Sequence, residues 1–218
     1  MTKTSYRVPK QLILIVIFFL VNCAIYAQEA QTKSENWTGK EKQFLLLALD
    51  TTRTGLLKEV QGLNKAQMHF KSDSSQWSVA EVLEHLGVWE EILYWDLFSN
   101  QNTPERPELV EQVRANDSIM LAFASDPAKG QSPIVALPLG RFHNSDELVK
   151  YFNFFRDEVI KLIQSTSADF RLHFIYRPKD WGVWSIRDLH QYTIVYISHT
   201  TRHANQIRRI KSNTKFPK

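Results

Sequence analysis

Ser78-Val79-Ala80-Glu81 stands directly before a run of apolar residues spaced three and four apart, and this most constrains the fold. The Ser78 hydroxyl and the Glu81 carboxylate can each cover an amide that a helix start leaves unpaired, so the passage predicts a helix N-terminus. The helix runs to about Phe98 and buries Val79, Val82, Leu86, Leu93 and Leu97. Three other stretches carry the same periodicity. Lys40 to Val60 places Phe44, Leu45, Leu47, Ala48, Leu56, Leu57 and Val60 at helical spacing, and Gly62 ends it. Asp146 to Ser165 stripes Leu148, Phe152, Phe155, Val159 and Leu162 behind a cap at Asn144 or Ser145. A fourth helix opens with Ser185-Ile186-Arg187-Asp188, echoing the second, and carries Leu189, Ile197, Ile207 and Ile210 to about Lys211. No strand pattern competes with these four. The expected fold is all-α, a four-helix bundle.

Between the second and third helices lies Asn100 to Phe142, with Pro104, Pro107, Pro127, Pro133 and Pro138 and a helical patch from Glu108 to Phe123. A connection this long fits a bundle with a crossover in place of a tight hairpin. Its position makes it a candidate cover for a site.

The first 27 residues read as a secretory signal peptide. Lys3, Arg7 and Lys10 precede an unbroken apolar run from Leu12 to Val21, and Ala27 supplies a small residue for cleavage. The run is too short to span a bilayer, which takes about 20 residues. An uncleaved anchor and a lipid anchor on Cys23 are the alternatives, the second disfavoured by bulky Asn22. The domain organisation is then signal peptide 1–27, flexible lead-in 28–39 and bundle domain 40–213, with the mature protein periplasmic or extracellular. Removing residues 1–27 lowers the formal charge from +4 to +1. The basic balance therefore belongs to the export signal and argues against nucleic-acid binding. Cys23 is the only cysteine, so the cleaved protein has no disulfide and no thiolate ligand or nucleophile.

Three histidines carry the chemistry. His199 and His203 are four residues apart, which stacks them on one helical face and lets two imidazoles share a metal ion. His85 lies on the second helix; if the fold brings that helix alongside, the site has three histidines and an open position. The other candidates are weaker. Glu81, Glu84 and Glu90 are the nearest general bases, but Glu81 serves the cap and Glu84 suits a solvent face. Gln206, Tyr196 and Tyr192 share the stripe of His199 and His203, with ordinary surface or packing roles as the plainer reading. Trp77 and Trp184 read as staples at helix starts. His190 faces away from His199, while His69, His143 and His173 read as surface residues. Arg202, Arg208 and Arg209 complement the helix dipole at a C-terminal end.

Trp77-Ser-x-x-Glu81-x-x-x-His85-Leu86, His199-x-x-x-His203 and Ala204-Asn-Gln206-Ile, with Gly62-Leu63-Asn64 between the first two helices, resemble the DinB superfamily over about Lys40 to Lys211. The resemblance implies a four-helix bundle holding a divalent ion, often zinc or nickel, on His85, His199 and His203. It also implies a metal-dependent hydrolase or a thiol-dependent transferase or isomerase acting on a small molecule. The family's thiol cofactors, bacillithiol and mycothiol, are cytosolic, so an export signal weakens the transferase reading. No catalytic residue beyond the metal ligands and no organic cofactor is assigned. The alternatives are a non-catalytic metal-binding module and a partner-binding bundle, with a homodimer in keeping with either.

Overall fold

Thr38 and Glu41 form a capping box that starts the first long helix, α1 (Gly39–Val60). It ends where Gly62 takes a positive φ of 75°, a conformation that suits glycine. The computed structural model describes residues 36–114, 116–125, 132–176 and 186–218. The signal peptide, Cys23, Pro127, Trp184 and Ser185 lie outside the described residues. The expected lead-in ends earlier than residue 39. Trp37 is buried and stacks on Phe170 with ring centroids 4.4 Å apart, and the amides of Asn36 and Trp37 donate to the Asp169 carboxylate.

A short helix, α2 (Lys65–Met68), leads to α3 (Val79–Asn100), which begins with the Ser78–Glu81 capping box the sequence predicts. The crossover follows, with 3₁₀ turns at Pro107–Leu109, Phe123–Ser125 and Ile134–Ala136 around α4 (Val110–Arg114) and α5 (Asp117–Ala122). Then come α6 (Ser145–Ser165), capped by Asn144, and α7 (Leu189–Lys211), capped by Asp188.

The start of the fourth long helix differs from expectation. Ile186–Asp188 is a strand, β2, pairing antiparallel with β1 (Phe174–Tyr176), and the helix begins only at Leu189. Asp188 ends the strand and caps the helix through Gln191 N, so the sequence echo with residues 77–81 is not a structural repeat. Three residues per strand are too few for a periodicity to register.

The four long helices form the bundle. α1 packs on α6 and α7, and α3 packs on the same two, so α1 lies diagonally across the bundle from α3, and α6 from α7. Two apolar clusters fill it. One surrounds Leu45, Leu93, Val159, Phe170 and Tyr192, the other Val82, Leu86, Phe152, Ala204 and Ile207. A polar layer lies within the bundle. Arg156 of α6, fully buried, donates to both oxygens of Glu90 on α3, at 2.6 and 2.5 Å. It also donates to the Leu49 carbonyl and Thr52 hydroxyl of α1 and to the Thr200 hydroxyl of α7. Every long helix contributes to this one guanidinium. A second buried arginine, Arg171, gathers Glu41, Asp117 and Asp188, tying the start of α1, the crossover and the cap of α7 together.

Candidate metal centre

The packing of α3 on α7 brings His85 against His199 and His203, and their donor atoms lie within 4.8 Å of one another. His199 Nε2 is 3.1 Å from His85 Nε2 and 3.0 Å from His203 Nε2. Ligand atoms around a tetrahedral ion with bonds of roughly 2.0–2.1 Å stand about 3.3 Å apart, a few tenths of an ångström more than these two separations. His85 and His203 are buried, and His199 is half-buried.

The outer nitrogens settle what the inner ones can do. His85 Nδ1–H donates to the Ala136 carbonyl at 2.7 Å, and His203 Nδ1–H donates to Gln206 Oε1 at 2.7 Å. A neutral imidazole carries one proton, so both Nε2 atoms present bare lone pairs. His199 can offer a proton to one of them, not both. At least one buried lone pair is therefore left over, a cost that a cation at the centre removes. Burial pushes the His85 imidazole down to about 4 despite its bond to Ala136. Burial and the neighbouring His85 push His203 down to about 3. His199 falls well below its ordinary value through burial and the other two histidines. All three are neutral at pH 7, which is the ligand form.

Aromatic rings wall the cluster. Trp77 lies 4.8 Å from the His85 ring and stacks on His203 at 6.3 Å. Trp89, one turn beyond His85, meets His85 and His199 edge-on. Phe123 of the crossover stacks on His199 at 6.2 Å, and the Arg202 guanidinium lies over Phe123. The crossover therefore covers the site. Ser132 Oγ adds a contact 3.5 Å from His85 Nδ1.

Several residues differ from their sequence reading. Trp77 packs against the second apolar cluster as a staple would, but it also walls the site. Gln206 holds His203 and is not a free surface amide. Glu84 is buried and binds the crossover, while Glu90 is paired with Arg156 and Glu81 with the cap and Lys71. His173 is buried, not exposed. His190 points away from the cluster as expected and accepts the Trp37 indole N–H at 3.1 Å. Tyr192 hydrogen-bonds Asp96 and Tyr196. Trp89 stood one helical turn from His85 and could have been found by spacing. Phe123, Ser132 and Ala136 carry no such local signal.

The sequence model of the DinB superfamily matches residues 48–207, which spans all three histidines. The chain belongs to the DinB superfamily. A solved structure, YfiT from Bacillus subtilis, is described as a probable metal-dependent hydrolase with an unusual four-helix bundle topology. It superposes with a TM-score of 0.55 over 80% of this chain and 87% of that one, at 14% identity, a likeness that shows the fold. No curated protein sequence matches the chain. This DinB-superfamily bundle thus carries a three-histidine cluster whose donor set suits a divalent metal.

Proposed function

We propose that the protein is an exported metal-dependent enzyme of hydrolase or transferase type, acting on a small molecule beside a zinc or nickel ion held by His85, His199 and His203. The observation that carries this reading is the convergence of three neutral Nε2 atoms, two of them oriented through Nδ1 by Ala136 and Gln206. A divalent ion on three imidazoles supplies Lewis acidity with coordination positions open to a substrate. The chain's own residues do the rest. Ala136 and Gln206 hold the imidazole tautomers, and Trp77, Trp89 and Phe123 restrict water and offer apolar walls to the body of a small molecule. Export rests on the layout of residues 1–27.

A second reading, metal binding without turnover, is favoured by one observation. Glu81, Glu84 and Glu90, the nearest candidate bases in the sequence, are each engaged elsewhere.

Metal content by plasma mass spectrometry, on protein purified without a histidine tag, tests both readings against a His199→Ala/His203→Ala variant. Near-stoichiometric zinc or nickel in the wild type and its loss in the variant is the expected result, and it opens substrate screening. No metal in the wild type after reconstitution with either ion overturns the metal reading. Tight metal with no turnover across ester, amide and thiol-transfer substrates selects the second.

A further inference from the structure

The crossover covers the metal centre, yet in its stretch nearest His85 three of the apolar side chains do not anchor it. Ile134, Val135 and Leu139 point outward, at 82%, 57% and 65% exposed. What fixes the segment is a buried carboxylate one residue from a metal-site histidine. Glu84 accepts from three consecutive amides, Leu139 at 2.8 Å, Gly140 at 3.0 Å and Arg141 at 3.3 Å, and from the Arg141 guanidinium at 2.6 Å. Gly140, at a φ of 70°, turns the chain so that the amides converge on one acid, the arrangement of a backbone anion nest. Arg141 then reaches back. Its guanidinium donates to the Leu137 carbonyl at 2.8 Å and the Val135 carbonyl at 3.1 Å, the two groups flanking Ala136. The Ala136 carbonyl between them is the one that receives His85 Nδ1–H.

We propose that Glu84 is a positioning residue for the metal centre, acting through Arg141 and the 135–141 turn to hold the Ala136 carbonyl on His85. Glu84 and His85 are adjacent on α3, about 100° apart around the helix, so one faces the crossover and the other the bundle. The acid sets the turn and the turn sets the imidazole. The coupling is reciprocal: an ion that fixes His85 as the Nδ1–H tautomer also strengthens its grip on the crossover. This assignment rests on the metal reading above for its consequence in affinity, and on the hydrogen bonds alone for its consequence in His85.

The test compares wild type, Glu84→Ala, Glu84→Gln and Arg141→Met by two measurements. Zinc affinity is measured by competition with a chromophoric chelator. The His85 tautomer is read in metal-free protein from long-range proton–nitrogen NMR of the imidazole. Expected is a 10–100-fold weaker zinc affinity for Glu84→Ala, the usual loss for an outer-shell partner, with a smaller loss for Arg141→Met. The same variants lose the Nδ1–H preference of His85, and amides 139–141 exchange faster with solvent. Zinc affinity within twofold of wild type together with an unchanged His85 tautomer overturns the proposal, even if the variants melt earlier. Should Glu84→Ala not fold, Glu84→Gln and Arg141→Met decide it by the same readouts. A wild type that takes up no zinc removes the metal reading, and the tautomer measurement then decides the role of Glu84 alone.

Discussion

His199 and Thr200 are consecutive on α7, yet they belong to two opposite kinds of buried polar cluster. Thr200 serves the Arg156 layer, where the guanidinium meets two carboxylate oxygens, two hydroxyls and a carbonyl. His199 belongs to a cluster in which two neighbouring Nε2 lone pairs point at a third imidazole. The first is complete within the protein. The second leaves at least one lone pair unmatched among the described residues. Buried polar groups that satisfy one another build structure, whereas groups held firmly from behind and left unsatisfied in front mark a binding site.

The largest expected effect that could break this contrast is on stability. Arg156→Ala leaves Glu90 buried without a partner and should cost about 3–5 kcal/mol in urea denaturation of the metal-free protein. His199→Ala, at a half-buried position with no such counter-charge, should cost less than about 1 kcal/mol under the same conditions. Equal losses would mean that the histidines are structural in the way the arginine is.

A pH measurement sharpens the contrast through His190, a histidine that has its partner. Burial, and then the Arg171 charge, push it down to about 4, against an unfolded value near 6.5. Asp117 and Glu41 oppose this shift, and Arg114 adds to it. Between these values His190 is more protonated in the unfolded chain than in the folded one, so its contribution to stability rises with pH in that window. The contribution is full above about pH 6.5 and is lost as the pH falls towards 4. His190→Gln should flatten the stability difference between pH 7 and pH 4.5 by on the order of 2 kcal/mol. An unchanged pH slope would show that His190 ionises freely in the folded protein.

The smallest effect concerns the helix that delivers His85. A Cβ on Gly87 would stand 2.6 Å from a ring carbon of Tyr151, whose hydroxyl is tied to Glu91. Gly87→Ala should cost about 1 kcal/mol, since alanine's better helix propensity offsets part of the overpacking, and most of it should be recovered in combination with Tyr151→Ala. Metal uptake should survive, because the strain falls on the α6 face of α3. Loss of metal in Gly87→Ala would show that the seating of α3 on α6 also sets the site.

The long helices were legible because their signals are local. Ser78 and Glu81 cap α3, Asn144 caps α6, and the apolar stripes Val82, Leu86, Leu93 and Leu148, Phe152, Val159 are buried as their spacing predicts. The histidine pair was legible for the same reason. Glu84 was misread because periodicity assigns a polar residue between apolar ones to solvent. Here the crossover packs on the first half of α3 and buries that face too. The delayed start of α7 was missed because pairing with Phe174–Tyr176 makes Ile186–Asp188 a strand, and no residue near 186 announces a partner ten or more positions away.

By itself, then, the sequence determined four amphipathic helices and the pairing of His199 with His203, since capping, periodicity and an i,i+4 spacing act within one helix. Only the tertiary structure decided that His85 closes the triad, that Ala136 and Gln206 orient it, and that Glu84 and Arg156 spend their charges inside the protein. Those outcomes depend on which helix faces which and on where a long crossover comes to rest. Contacts between residues tens of positions apart arise only when the whole chain packs.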